Sequence, residues 1–279
     1  MMSFEDFLPS ATPRYRYKDY RECVRLLEKE YDKLDHEEDP LESAYNPYCI
    51  MEIDERSFLE CFVNSGDNSL TLSWEIYDHA YQSALLRMES TEHATAAGAF
   101  DQIFSAWTWT ESNQSLASTR TRSVRGVTRT KRADISWTPK NMPAGRSEWP
   151  TVVGEVAWSE PRSKLRADME FWLTGPASPV NVAITISVLR GRILIERWKS
   201  LNDRPPTPTQ KIEIIRNPKL GCPQVTGQLE IEFSEVFLRD PKPATGERNF
   251  ILTTADMRKL ADDVWAFQYK PKPDKKAAQ

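Results

Sequence analysis

Apolar positions in this chain recur with two periods, and the alternation between them sets out the expected elements. Val24, Leu27, Tyr31 and Leu34 fall at helical spacing within 18–36, and Pro40 stops that helix. A short strand is expected at 48–53. Asp54 then caps a helix carrying Phe58, Leu59, Phe62 and Val63. Leu70, Leu72 and Trp74 alternate, which predicts two strands, or one broken strand, over 69–77 and 81–88. A helix over 92–107 presents Ala97, Phe100, Ile103, Phe104 and Trp107 as its stripe. A strand at 133–137 precedes TVVGEVAW (151–158), whose unbroken apolar run suits a strand buried on both faces. The helix 159–173 has Pro161 in its first turn and buries Leu165, Met169, Trp172 and Leu173. Strands at 180–189, 192–198, 211–216 and 228–238 and a helix at 253–267 complete the pattern. The strand–helix–strand run 151–189 reads as a βαβ unit within a larger sheet.

Composition narrows the class without naming an activity. The chain has 279 residues, which fits one large domain or two small ones. Nine Trp, nine Tyr and eleven Phe exclude a wholly disordered chain. Four Cys without regular spacing suit reduced thiols, hence an intracellular setting, cytoplasmic or nuclear. Three His leave no four-ligand zinc site. No secretory signal and no apolar run of about 20 residues is visible, so no membrane partner is expected. A net charge of −4 argues against nonspecific coating of nucleic acid but admits a local basic groove.

The sharpest chemical feature is a pair of carboxylates on two expected strands, Asp134 in RADISW and Glu155 in VVGEVAW. A Glu inside an apolar strand is rare unless paired or metal-bound. Two such acids converging on one face suit Mg²⁺ or Mn²⁺, hard cations that take oxygen ligands. The bland alternative is an Arg that satisfies Glu155. Six cations, Arg120, Arg122, Arg125, Arg129, Lys131 and Arg132, fall within 13 residues just before Asp134. They are candidates for contacting a phosphate backbone, or else form a solvated strand pair. Trp137, Trp149 and Trp158 could stack bases or simply pack. Glu75, Glu92 and His93 are further candidates. Arg162, Lys164 and Arg166 form a charged stripe on the helix after Glu155, and Asp168 lies four residues beyond Lys164.

These segments resemble the PD-(D/E)XK restriction-endonuclease-like superfamily: an Asp at a strand start, a gap of 20 residues, a Glu in an apolar strand, then a helix and another apolar strand. The finer resemblance is to fungal proteins of that superfamily. It rests on KRADISWTP, VVGEVAWSEPRSKLRADMEFWL and VNVAITISV, with RMESTEH upstream, and spans roughly residues 70–200. It implies an α/β fold: a restriction-endonuclease-like core with a central mixed β-sheet flanked by helices, and an N-terminal helical extension. The expected division is 1–65 as extension, 66–269 as nuclease-like domain and 270–279 as disordered tail. The implied activity is metal-dependent hydrolysis of nucleic acid, DNA favoured, with Asp134, Glu155 and the Val156 carbonyl holding the metal. The superfamily's motif lysine falls at Ala157, on the same side of the strand as Glu155. Lys164 is the residue that could replace it. A catalytically inactive descendant that binds nucleic acid or a protein is the alternative. Restriction-like nucleases often work as dimers, so a homodimer is admitted, although no interface signature is visible.

Overall fold

The computed structural model describes residues 4–36, 46–66, 68–110, 116–119, 122–146, 149–158, 160–174, 180–200, 204–217 and 219–269. After a 3-10 turn at Phe4–Phe7 come β1 (Arg14–Arg16), α1 (Tyr20–His36), β2 (Tyr48–Glu52) and α2 (Glu55–Phe58). A π turn, Leu59–Val63, extends α2. Then follow α3 (Asn68–Ser73), β3 (Trp74–Asp78), β4 (Ser83–Arg87), α4 (Thr91–Thr110), β5 (Leu116–Ser118), β6 (Ser123–Arg125), β7 (Arg129–Arg132), β8 (Ile135–Pro139) and β9 (Val152–Trp158). The rest is α5 (Arg162–Thr174), β10 (Val182–Leu189), β11 (Arg192–Lys199), β12 (Thr207–Ile215), β13 (Gln224–Gly227), β14 (Glu230–Ile231), α6 (Phe233–Phe237), β15 (Phe250–Ile251) and α7 (Thr254–Gln268).

The chain is a mixed α/β protein built on two mixed sheets flanked by helices. One sheet has the order β1-β2-β4-β3-β7-β6; the other runs β13-β12-β11-β10-β9-β8-β5. In the second sheet β9 and β10 are parallel and joined through α5, as the βαβ reading expects. Val153, Ala183 and Trp198 on one face meet Met169 and Trp172 of α5. Val152, Val156, Ile184 and Ile186 on the other face join the main core, beneath α4 and α7. This double coverage explains the unbroken apolar run of β9. Each fully buried side chain of this size contributes about 1.5–3 kcal/mol. Gly154 lies opposite Ile135, so close that a Cβ there would fall 2.7 Å from the Ile135 side chain.

Four expectations are corrected. Residues 69–73 are helical: Leu70 is buried while Leu72 is 50% exposed, so the alternation there is not a sheet pattern. The 228–238 strand stops after Ile231. Glu235 accepts a hydrogen bond from the Glu232 backbone N–H at 3.2 Å and starts α6. The segment 1–65 is not purely helical, because β1 and β2 belong to the six-stranded sheet and β2 pairs with β4. There are also two large sheets rather than a single central one. The expected tail, 270–279, lies outside the described residues.

Candidate metal and ion-pair centre

The two sheets meet where the chain passes from β7 to β8, and the charged groups gather at this junction. Glu75 sits at a register shift between β3 and β4, where Trp74 pairs with Leu86 and Ile76 with Leu85. Such a bulge re-aims the extra side chain, and here it buries Glu75 to 2% exposure. Glu155 comes from β9 and Asp168 from the second turn of α5. A carboxylate oxygen from each of Glu75, Glu155 and Asp168 lies within 4.8 Å of the others, and all three residues are buried.

Two ammonium groups meet these acids. Lys131 Nζ, on β7, lies 2.9 Å from Glu75, 3.1 Å from Glu155 and 3.1 Å from Asp168. Lys164 Nζ, on α5, lies 2.6 Å from Glu75, 2.9 Å from Asp168 and 3.5 Å from Glu160. Lys164 therefore belongs to the cluster and not to a solvated stripe. Tyr48 donates its hydroxyl to Glu160, and Trp172 Nε1 donates to Glu155 at 2.6 Å.

Asp134 lies beside this group in a different setting. It accepts hydrogen bonds from the Arg87 guanidinium, from His93 Nε2 at 3.1 Å and from the Val156 backbone N–H at 2.7 Å. His93 Nδ1 lies 2.8 Å from Glu89. Glu155 thus meets Glu75 and Asp168, while Asp134 is held by two cations and an amide. The contact of Val156 with Asp134 is through its backbone N–H.

The protonation states follow from burial and partners. Burial raises the Glu75 carboxyl, but Lys131, Lys164 and Arg87 outweigh it and hold Glu75 well below the usual range. For Asp134, Arg87 and His93 outweigh burial in the same way. Glu155 goes the other way: burial, only partly offset by Lys131 and reinforced by Asp134, Asp168 and Glu75, pushes it up to about 8. Burial lowers His93 and Arg87 adds to that, yet Asp134 and Glu89 raise it to about 9 overall, so it is an imidazolium at neutral pH. The cluster brings together the acids Glu75, Asp134, Glu155, Glu160 and Asp168, whose side chains are nearly all covered, with the cations Arg87, His93, Lys131 and Lys164, and Glu89 pairs with His93 at its edge.

The chemistry of the donors suits a hard divalent cation: three converging carboxylates, one of them still protonated at neutral pH. Glu75 Oε2 is buried and accepts no hydrogen bond, with Arg87 Nη1 3.6 Å away. Lys131 Nζ, however, already touches the same three acids, so a metal ion entering there must share or displace an ammonium.

The basic run turns inward only in part: Lys131 and Arg132 are buried, while the Arg125 side chain is 65% exposed. Arg125 pairs with Glu55 at 2.8 Å and Arg129 with Asp78 at 3.3 Å. Arg132 donates to the Thr71 and Leu72 carbonyls and lies over Trp74. Arg122 sits between β5 and β6, and Arg120 lies outside the described residues. Trp137, Trp149 and Trp158 are all buried. Trp137 packs on Phe100 and Phe104, and Trp149 on Phe171 and Trp172, so they are packing residues. Glu92 stays outside the cluster, whereas Glu75, His93 and Asp168 enter it. Sequence reasoning missed Arg87 and Glu160. Arg87 ends an apolar strand as its one charge, the kind of signal that singled out Glu155.

The chain matches no known family model and no curated protein. Among solved structures, a putative nuclease belonging to DUF820 from Anabaena variabilis ATCC 29413 is similar over 48% of this chain and 74% of that one, with a TM-score of 0.36 and 10% identity. Among the described residues, no helix is long and apolar enough to cross a membrane.

Proposed function

We propose that this chain is a metal-dependent phosphodiesterase of the PD-(D/E)XK kind, acting on nucleic acid with DNA favoured. The observation that carries this reading is the convergence of Glu75, Glu155 and Asp168, with one buried Glu75 oxygen left without a hydrogen bond. These three would hold Mg²⁺ or Mn²⁺, and Asp134 would orient the site from beside it. A bound divalent ion supplies Lewis acidity and a water of lowered pKa. Lys131 and Lys164 place two fixed positive charges where a phosphodiester would gain negative charge. Glu155 would give up its proton as the divalent ion arrives, so binding would be linked to proton release. The nuclease-like unit is assigned to 66–269.

The second reading is a catalytically inactive protein of the same fold, which binds nucleic acid or a protein. The position of Lys131 Nζ among all three acids favours it, as does Ala157 at the motif-lysine position. The test is calorimetric titration of Mn²⁺ into the full chain in two buffers of different ionisation enthalpy, beside cleavage of labelled single-stranded and duplex DNA and RNA. Binding with release of about one proton near neutral pH, and cutting that is lost in Glu155→Ala, is expected. Absence of both binding and cutting leaves the second reading.

A further inference from the structure

We infer that the 3-10 turn Phe4–Phe7 is a displaceable plug over the Lys131, Lys164 and Asp168 side of the acid–cation cluster, so that the metal and the phosphodiester reach that side when it lifts. The inference rests on the proposed phosphodiesterase reading for what enters, but the occlusion itself is geometric. Phe4 and Phe7 lie with Phe171 against Lys131, Lys164 and Asp168, leaving a cavity of only about 10 Å³. That is the lower limit for a single water. The turn packs on α5, which carries Lys164 and Asp168.

The plug is attached separately from the main core. Phe4 packs with Tyr48, Ile50, Ile76 and Leu85 in a small cluster on the outer face of the six-stranded sheet, with Leu8 against it. Beyond that, Glu5 is held by Arg14, whose side chain is 45% exposed. Lifting the turn would break this satellite cluster, its packing on α5, the Glu5–Arg14 ion pair and the other contacts of Glu5 and Asp6, while both sheets keep their ladders. A segment with few buried contacts opens at a lower free energy than the core. The rest of the cluster is held by β2, β3, β4, β7, β9, α4 and α5, with Glu160 also lining a second cavity of about 330 Å³ beside Ala157.

The test is carboxyl footprinting of Asp168 with a carbodiimide and glycine ethyl ester, read by mass spectrometry, with Mn²⁺ titration of the same samples. Phe4→Asp places a charge in the satellite cluster and should raise Asp168 labelling by about tenfold or more, with an unchanged cooperative melt and faster Mn²⁺ uptake. If the Phe4→Asp melt shows a loss of folding, Glu5→Gln, which breaks the Glu5–Arg14 ion pair and leaves Arg14 with Glu52, is judged by the same rise. Increased labelling without Mn²⁺ binding upholds the plug and removes the metal reading. Unchanged labelling in a folded variant overturns the plug, whether or not Mn²⁺ binds.

Discussion

Replacing Lys131 with Met removes the ammonium that touches three buried carboxylates while keeping most of the side-chain volume. The three contacts are 2.9–3.1 Å long, and Lys131 is 1% exposed, so water cannot take its place. Removing one partner of a buried ion pair costs about 3–5 kcal/mol. The loss does not triple, because Lys164 still holds Glu75 and Asp168. Lys131→Met should therefore lose about 3–5 kcal/mol near neutral pH by urea denaturation. The loss should shrink in acid, where the stranded carboxylates take up protons. Mn²⁺ adds a second readout. If the cradle accepts a divalent ion, free Mn²⁺ at 100 times Kd restores about 2.7 kcal/mol, and the variant gains more than the wild type because no ammonium competes. A loss below about 1 kcal/mol would refute the claim that Lys131 balances the three acids. A full loss with no recovery in Mn²⁺ would refute the metal cradle while leaving the ion cluster intact.

Two further outcomes follow from the geometry. Glu155 binds its proton more tightly folded, with a pKa of about 8 against 4.5 unfolded. Wild-type stability therefore falls as pH rises through that window. Glu155→Gln lacks this slope, so its urea midpoint should gain on the wild type between about pH 5 and pH 8, and parallel profiles would sink the assignment. Gly154→Ala puts a Cβ 2.7 Å from Ile135 in the middle of β9, and overpacking should cost about 1–3 kcal/mol. Combining it with Ile135→Ala should cost less than the two single changes together, and strict additivity in thermal melts would show that the clash is absorbed elsewhere.

The sequence was most legible where the burial pattern is local. The unbroken run of β9, the stripe of α5 and the last helix, α7, are all visible in stretches of under 20 residues, and the structure has them. It was least legible where elements are too short to show a period. Strands β1, β5 and β6 have three residues each. Their sheet membership is settled by partners far along the chain, as when Arg14 pairs with Ile50. The site shows the same division. Glu155 stands out as a lone charge among apolar neighbours, and Lys164 and Asp168 share a helix face. Lys131 looked like one of six similar cations, because its partners Glu75, Glu155 and Asp168 come from three other elements. A basic run therefore reads as surface until the fold shows which of its members turn inward.

Ala157 sharpens the choice between an active and a silent site. It shares the α5 side of the sheet with Glu155, where the resemblance places a lysine. Its methyl lines a cavity of about 330 Å³ with Ser187, Leu194 and Glu196. There is space for an ammonium there, yet the acids are met by ammoniums from β7 and α5. A methyl at position 157 therefore does not leave the carboxylates without positive charge. Lys164 keeps its own contacts to Glu75, Asp168 and Glu160 whatever happens at Lys131, and Glu75 keeps an oxygen without a hydrogen bond. The decisive quantity is thus how readily the Lys131 ammonium yields its place among the three acids to a divalent ion. That is a competition between one charge and two for the same oxygens. The proton on Glu155 tips it with pH: as pH rises through about 8, the third carboxylate ionises and the cradle gains the charge that favours the divalent ion.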